Sequence, residues 1–517
     1  MSEVELKFLI EKVMADEVWA RVKASKLASG ARPITKTLKS VYLDTPQHAL
    51  NKAGIALRLR RDGRRWIQTV KTGAQLLGGR SQVGEVENPA PGGRVCIHAI
   101  PDPSILEKVV RCVDGAPLET VCETVIKRTS NELVLQDGTR AGLAVDVGEI
   151  RAGGRSVELS EMEIDLLDGS PRGLFDIASL LAPEGGLRFS RLSIVARGYL
   201  LATEGRIDLP LEPRNAKDVV LDASQTAEQA ARDMLRECLD QIATNVSVVL
   251  QLNDPEGPHQ LRIGLRRLRS VFSVFGPVLR CEEMQRLSAE ARWLGQEVGN
   301  LRDLDVVADD MLGREAQFHP EEPGFQALAD HLLRQTGERR ERLHSVLAGR
   351  RVQSFLIDSA CFVETRGWLD PLDFGQTERL AMPVTKLARH ALSKRWKKVT
   401  RHTSGLETMT VEERHELRKD LKKLRYPVEF FSSLFPAKRL NPFLKALKTL
   451  QAVFGDLNDA ATLKSMFTGS EIAGVADISA QRAMGWMIGA SQARAESSWT
   501  GARSSWQDLE QMRQFWR

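Results

Sequence analysis

The period of the hydrophobic pattern changes once along this 517-residue chain, near residue 205, and that change restricts the fold more than any other feature. Up to about Tyr199, short segments alternate apolar with polar residues and are broken by Gly, Pro and Asp: KSVYLDTP, IALRLRRDG, RWIQTVKTG, VGEVENPAP and SVELSEMEIDLLDGS are examples. That spacing predicts an antiparallel sheet or barrel, with helical interludes at roughly 11–29, 103–112 and 170–183. From about Ser224 onward, the three-and-four spacing of amphipathic helices takes over, interrupted by DPEGP, FHPEEPG and LDPLDFG. A chain of this length exceeds one typical core. We therefore expect a multidomain α+β protein with domains at 1–203 and 218–510 and a linker at 204–217.

The strands of the first half carry an unusual amount of charge in register. In SEVELKF, Glu3, Glu5 and Lys7 share one side, and Val4, Leu6 and Phe8 the other. Arg58 and Arg60 share a face in ALRLR, as do Glu85 and Glu87 in GEVEN, and Glu161, Glu163 and Asp165 in SEMEID. One such strand is simply a wetted outer face. Several of them, with carboxylates and guanidinium groups in comparable numbers, suggest a closed barrel whose apolar side lies under helices and whose charged side lines a tunnel. Burying that much charge requires partners, and a bound metal and a phosphate ligand would supply them.

The helical half contains a duplication. His259, Arg262, Arg266 and Arg269 in PHQLRIGLRRLRS recur, 156 residues later, as His415, Arg418, Lys422 and Arg425 in RHELRKDLKKLRY. These offsets align all four groups on one helical stripe. Leu261, Leu265 and Leu268 correspond to Leu417, Leu421 and Leu424, and LGQEVGNLRDLD corresponds to LQAVFGDLNDAA at the same shift. A repeat this long suits two helical bundles related by a pseudo-twofold axis. Two stripes that meet would form a strongly positive surface for a polyanion, bound in a salt-dependent way. The basic segments lack the interleaved aromatic residues that stack bases, which disfavours nucleic acid and favours a bare phosphate chain. His259 and His415 can add charge as pH falls.

Composition narrows the class. With 42% hydrophobic and 27% charged residues and no apolar run near the roughly 18–20 residues of a membrane-spanning helix, the expectation is a cytoplasmic protein with no membrane partner. Six dispersed cysteines without C-x-x-C spacing argue against a zinc site or a disulfide framework.

The duplicated basic helix, with LRDLD and GDLND, resembles the CHAD domain over roughly residues 218–510. The resemblance implies binding of inorganic polyphosphate through the eight stripe residues, with Lys419 and Lys423 on neighbouring lines, and suggests association with polyphosphate granules. The ordered set E-x-E-x-K (Glu3, Glu5, Lys7), VYLDT, Arg58 and Arg60, T-V-K ending at Lys71, Arg128, VDVG, E-M-E (Glu161 to Glu163) and ARGYLL resembles the CYTH superfamily of triphosphate tunnel metalloenzymes over about residues 1–203. This implies an eight-stranded antiparallel tunnel and an inorganic triphosphatase that releases pyrophosphate and phosphate. Lys7, Arg58, Arg60, Lys71 and Arg128 would cradle triphosphate, because guanidinium forks can each hold two phosphate oxygens. Glu3, Glu5, Glu161 and Glu163 would hold Mg2+ or Mn2+, with Lys7 and Glu5 taking part in catalysis and Glu85, Glu87, Asp146 and Asp165 as second choices. The chain departs from the family pattern at Ile194, where a tunnel-facing lysine is usual, and Arg188 or Arg191 are candidates to compensate. The competing readings are a nucleoside or thiamine triphosphatase, an adenylate cyclase, or a non-catalytic polyphosphate-binding scaffold.

Overall fold

Among the described residues of the first half, ten strands build one antiparallel sheet: β1 (Glu5–Leu9), β2 (Ile34–Asp44), β3 (Ile55–Asp62), β4 (Arg65–Thr72), β5 (Arg80–Ser81), β6 (Gly84–Pro89), β7 (Glu119–Val134), β8 (Arg140–Ala152), β9 (Arg155–Asp168) and β10 (Arg188–Phe189). The structure is a computed structural model that describes residues 4–25, 27, 32–63, 65–72, 80–81, 84–468 and 477–517. The chain divides into two compact units, Met1–Glu212 with Ala348–Thr365, and Pro213–Leu347 with Arg366–Arg517.

In the first unit, the strand order is β10-β1-β9-β8-β7-β2-β3-β4-β6, with β5 pairing β1 off this path. The mixed α+β class and antiparallel sheet agree with expectation, but the strand count and closure differ. Nine strands lie on the path in place of eight, and the pairings among the described residues do not close the ring. The added strands β5 and β10 are two residues long, too short to show any alternation in sequence.

Period-2 alternation buries one face of this sheet under helices. Leu6 and Phe8 of β1, Leu143 and Val145 of β8, and Met162 and Ile164 of β9 pack with the helices Met14–Ser25 and Arg172–Leu181. Leu57 of β3 and Val70 of β4 pack against Ile105, Val109 and Val113 of the helix Pro103–Val113. Asp102 starts that helix by accepting hydrogen bonds from the Ser104 and Ile105 amides, at 2.8 and 3.1 Å, with Pro103 at its first position. The helix Arg350–Glu364, drawn from the middle of the helical half of the sequence, also belongs to this unit, and Ile357, Ala360 and Cys361 lie in the core with Phe175 and Ala178. Its Gln353 donates to the Ala182 carbonyl at 2.7 Å and accepts from the Leu187 amide at 2.8 Å.

The second unit is helical. Its duplicated basic helices are Glu256–Val274 and Val411–Phe430, the latter opened by a capping box of Thr410 and Glu413. The leucine line is fully buried in both copies: Leu261, Leu265 and Leu268 in one, Leu417, Leu421 and Leu424 in the other. The two helices lie against each other. Among the described residues no helix is long and apolar enough to cross a membrane.

Candidate functional site

Strand register collects the charged positions of the first unit on a single sheet face. Glu5 lies opposite Asp165, and Lys7 opposite Glu163, across β1 and β9. Asp146 of β8 is opposite both Arg128 of β7 and Glu161 of β9. Arg58 of β3 is opposite Tyr42 of β2 and Thr69 of β4, and Lys71 is opposite Glu85 of β6. This face is not a wetted exterior. Glu5 is 8% exposed, Asp146 1%, Glu161 1% and Glu163 5%.

The cations on this face are all engaged by carboxylates. Lys7 Nζ lies 2.9 Å from Glu163 and 3.4 Å from Glu5. Arg128 forks onto Asp146 at 2.8 and 2.6 Å and donates to the second Glu163 oxygen at 2.6 Å. On the other wall, Arg58 donates to Thr69 at 3.2 Å and Glu85 at 3.3 Å, Arg60 to Glu87 at 3.2 Å, and Lys71 pairs with Glu85 at 2.7 Å. Both walls belong to one continuous sheet, with β1 and β9 joined through β8, β7 and β2 to β3, β4 and β6.

Burial and crowding separate the acids. Burial would raise the Glu163 carboxyl, but Lys7 and Arg128 outweigh it and hold it well below the usual range. Asp165 is pushed up to about 7 by burial and then by the neighbouring charges of Glu163 and Glu5. Glu161 also reaches about 7, through burial that Arg197 only partly offsets. Among the described residues no three acids, histidines or cysteines already converge as a metal cage. The donor chemistry nevertheless suits a hard divalent cation: these are carboxylate oxygens, and two of the acids lack enough positive charge to stay ionised with ease. Glu3 lies outside the described residues.

Arg197 is the interior cation that strand patterning missed. It lies on the helix Ile194–Glu204, is 1% exposed, and places Nε 3.4 Å from Glu161. Ser190 donates to the same Glu161 oxygen at 3.2 Å, and Asp208 pairs with Arg197 from the other side. The ARGYLL motif was the available signal, and its Tyr199 donates to Asp44 of VYLDT at 2.5 Å. Asp44 also accepts from the Thr45, Leu50 and Asn51 amides, so the two motifs are joined by one turn-forming carboxylate. Tyr42 is a second residue that sequence reasoning missed, buried beside Arg58. Ile194 packs with Tyr42, Cys122, Ile150 and Leu159, an apolar cluster. The suggested substitutes Arg188 and Arg191 are exposed, and the cation next to Glu161 is Arg197.

In the second unit, the two stripes come within electrostatic reach. Arg266 lies 5.8 Å from the centre of the Tyr426 ring. Lys422 is pushed down to about 7 by burial and then by Arg266, Arg418, Arg262 and Arg425. Burial and the same two arginines of the first copy lower Arg418, against the opposing pull of Asp459. Arg262 pairs with Asp303 at 2.5 Å, and Arg425 with Glu429 at 3.3 Å. Arg266, Arg418 and Lys422 form no ion pair among the described residues, and the Nε atoms of both arginines are buried without a hydrogen-bond partner. Burial also lowers His259 and His415, assisted by Arg302 and Lys419 respectively, so they gain charge only below the ordinary histidine range. Burial, and then the charge of Arg292, lowers Arg269. Lys419 pairs with Glu416 at 2.8 Å and Lys423 with Asp420 at 3.6 Å, which sets them apart from the unpaired group.

Comparison with known proteins places these features. Residues 1–199 match the model of the CYTH domain, and residues 233–468 that of the CHAD domain. An inorganic triphosphatase of Haemophilus influenzae is 27% identical over 172 residues, 32% of this chain and 46% of that protein, so the match spans less than half of the relative's length. The crystal structure of the CHAD domain from the plant Ricinus communis is 26% identical with a TM-score of 0.50, covering 58% of this chain and 98% of that one. PptA from Streptomyces chartreusis is 17% identical with a TM-score of 0.40, over 55% of this chain and 100% of its own.

Proposed function

We propose that this chain, which carries a CYTH domain followed by a CHAD domain, is a metal-dependent inorganic triphosphatase whose second domain binds inorganic polyphosphate. The observation that carries the reading is the buried face on which Lys7, Arg58, Arg60, Lys71 and Arg128 are held by carboxylates. Phosphate oxygens can replace those carboxylates at the same cations, and arginine forks fix the orientation of the chain. Glu5, Glu161 and Glu163, with Glu3, are the proposed holders of Mg2+ or Mn2+. When bound, the metal would supply positive charge to the phosphate oxygens as negative charge develops.

Asp165 and Glu161 bind a proton near neutral pH, which suits either carboxylate to accept the proton of an attacking water. The new bond joins the water oxygen to the terminal phosphorus, the bridging P–O bond breaks, and pyrophosphate leaves. Lys7, beside both Glu5 and Glu163, positions those acids and meets the phosphate charge. The unpaired Arg266, Arg418 and Lys422 support polyphosphate binding by the helical domain.

The test is phosphate release from inorganic triphosphate with and without Mg2+ or Mn2+, with ATP alongside and Glu5→Gln as the variant. Metal-dependent release from triphosphate that is lost in Glu5→Gln is expected. Preference for ATP would move the assignment to a nucleotide-acting member of the same fold, and absence of turnover with intact folding would make the tunnel a binding site.

A further inference from the structure

A cavity of about 480 Å³ in the second unit opens beside the basic stripe and has the stripe residue Arg425 in its lining. It is bordered by Glu256–Val274, Val411–Phe430, Ala437–Thr468 and the segment 215–218. Its size falls in the usual range for small-molecule sites. Two of its lining side chains are left incomplete by the protein. Tyr426 is 3% exposed, yet its hydroxyl has no hydrogen-bond partner. Arg267 is 7% exposed, its Nε makes no hydrogen bond, and it forms no ion pair among the described residues.

A buried guanidinium without a carboxylate is costly, and so is a buried hydroxyl without a partner. What surrounds Arg267 does not offset its charge. The Phe430 ring covers it at 5.2 Å, and the Cys238 thiol, with which it shares a hydrogen bond, is pushed up to about 12 by burial and so stays neutral. Of the other charges bordering the cavity, Arg425 pairs with Glu429 at 3.3 Å, while Lys448 and Asp218 are exposed at the rim and form no ion pair among the described residues. Arg267, Lys448 and the free phenol therefore remain as donors, next to an apolar wall of Ile263, Leu440 and Leu444.

We infer that this cavity is a binding site for a small organic phosphomonoester. The Arg267 fork, the Tyr426 hydroxyl and the rim Lys448 offer donors to three oxygens of one group, which a phosphoryl group has and a carboxylate lacks. The organic part fills the apolar side, which a bare phosphate would leave empty. The site adjoins the polyphosphate face: the cavity uses Ile263 and Arg267 of the first basic helix where the stripe uses Arg262 and Arg266, and the two share Arg425, with Arg266 lying 5.8 Å from the Tyr426 ring.

The test is hydrogen–deuterium exchange of the full chain with AMP as probe and adenosine as control, read in peptides covering residues 263–271 and 424–430. AMP is expected to slow exchange there several-fold and adenosine to leave it unchanged. Tyr426→Phe, which keeps the ring, and Arg267→Gln should each abolish the effect, while Arg418→Gln on the stripe should retain it. Equal protection by adenosine, protection that survives Tyr426→Phe, or no protection of the wild type would overturn the assignment.

Discussion

Replacing Lys422 by methionine should stabilise the free protein while weakening the proposed hold on polyphosphate. Burial, followed by Arg266, Arg418, Arg262 and Arg425, takes this ammonium from 10.5 to about 7. At about 1.4 kcal/mol for each tenfold change in proton affinity, the fall corresponds to at most about 5 kcal/mol. Partial exposure and salt screening reduce the expected gain for Lys422→Met to about 1–2 kcal/mol. The sign with pH follows from proton counting. Between about 7 and 10.5 the unfolded chain holds a proton that the folded chain has lost, so wild-type stability rises with pH across that window. Methionine contributes no such rise, and its advantage is therefore largest below pH 7 and shrinks above it. Urea unfolding followed by tryptophan fluorescence at pH 6.5 and 9.5 measures this, because all tryptophans except Trp19 and Trp66 lie in the second unit. In calorimetry at pH 8, wild type should also take up a proton when polyphosphate binds, and the variant should not. A Lys422→Met protein that is less stable at pH 6.5, or whose difference from wild type is the same at both pH values, would refute the reasoning.

Because Asp165 and Glu161 hold protons up to about 7, loading of Mn2+ should release protons, and its affinity should fall below pH 7 by about tenfold per pH unit for each proton displaced; titration calorimetry in buffers of different ionisation enthalpy reads this, and a flat affinity between pH 5.5 and 7.5 would contradict it. Ile194→Lys should tighten triphosphate binding several-fold, measured as KM, and cost about 1–2 kcal/mol of stability by removing an apolar side chain from the cluster with Tyr42 and Leu159; an unchanged KM would show that this position does not face the phosphate chain. Truncation after residue 217 removes Ile357, Ala360 and Cys361 from the core of the first unit, so the shortened chain should melt well below the full protein, monitored by thermal denaturation of the β-sheet signal. Loss of activity in that truncated chain would thus report a damaged core, and point variants such as Lys422→Met are the better probe of what the helical domain does.

The parts of the fold legible in the sequence are those set by short-range period. Alternation in SEVELKF and SEMEID marks two opposed faces whichever strands they join, and the charged face forms as that pattern requires. The pairing of β1 with β9, which brings Glu5 against Asp165, depends on long-range register that no local pattern encodes. The same limit hid the destination of Arg350–Glu364. Its amphipathic spacing requires a buried face but does not say which core receives it. Arg197, within the ARGYLL motif, was given no interior role for a different reason: it sits on a helix, outside the strand alternation that identified the other interior cations.

The two regions proposed to bind phosphate treat charge in opposite ways, and this would separate their selectivity. On the sheet face, the proposed phosphate-binding cations already have carboxylate partners, so a ligand exchanges one set of oxygens for another. The net electrostatic gain is small, and the outcome depends on how closely the ligand reproduces the spacing of the displaced carboxylates, which favours a short chain of defined geometry. On the helical face, Arg266, Arg418 and Lys422 repel one another and form no ion pair among the described residues, with Asp459 and Asp303 only partly offsetting the charge at Arg418, so a polyanion of suitable charge density relieves repulsion that the protein itself maintains. Binding of that kind is tolerant of length and register and sensitive to salt. Under the proposed function, a buried, neutralised face suited to recognising one small anion and a largely unneutralised face suited to retaining long ones are thus distinct physical solutions within one chain.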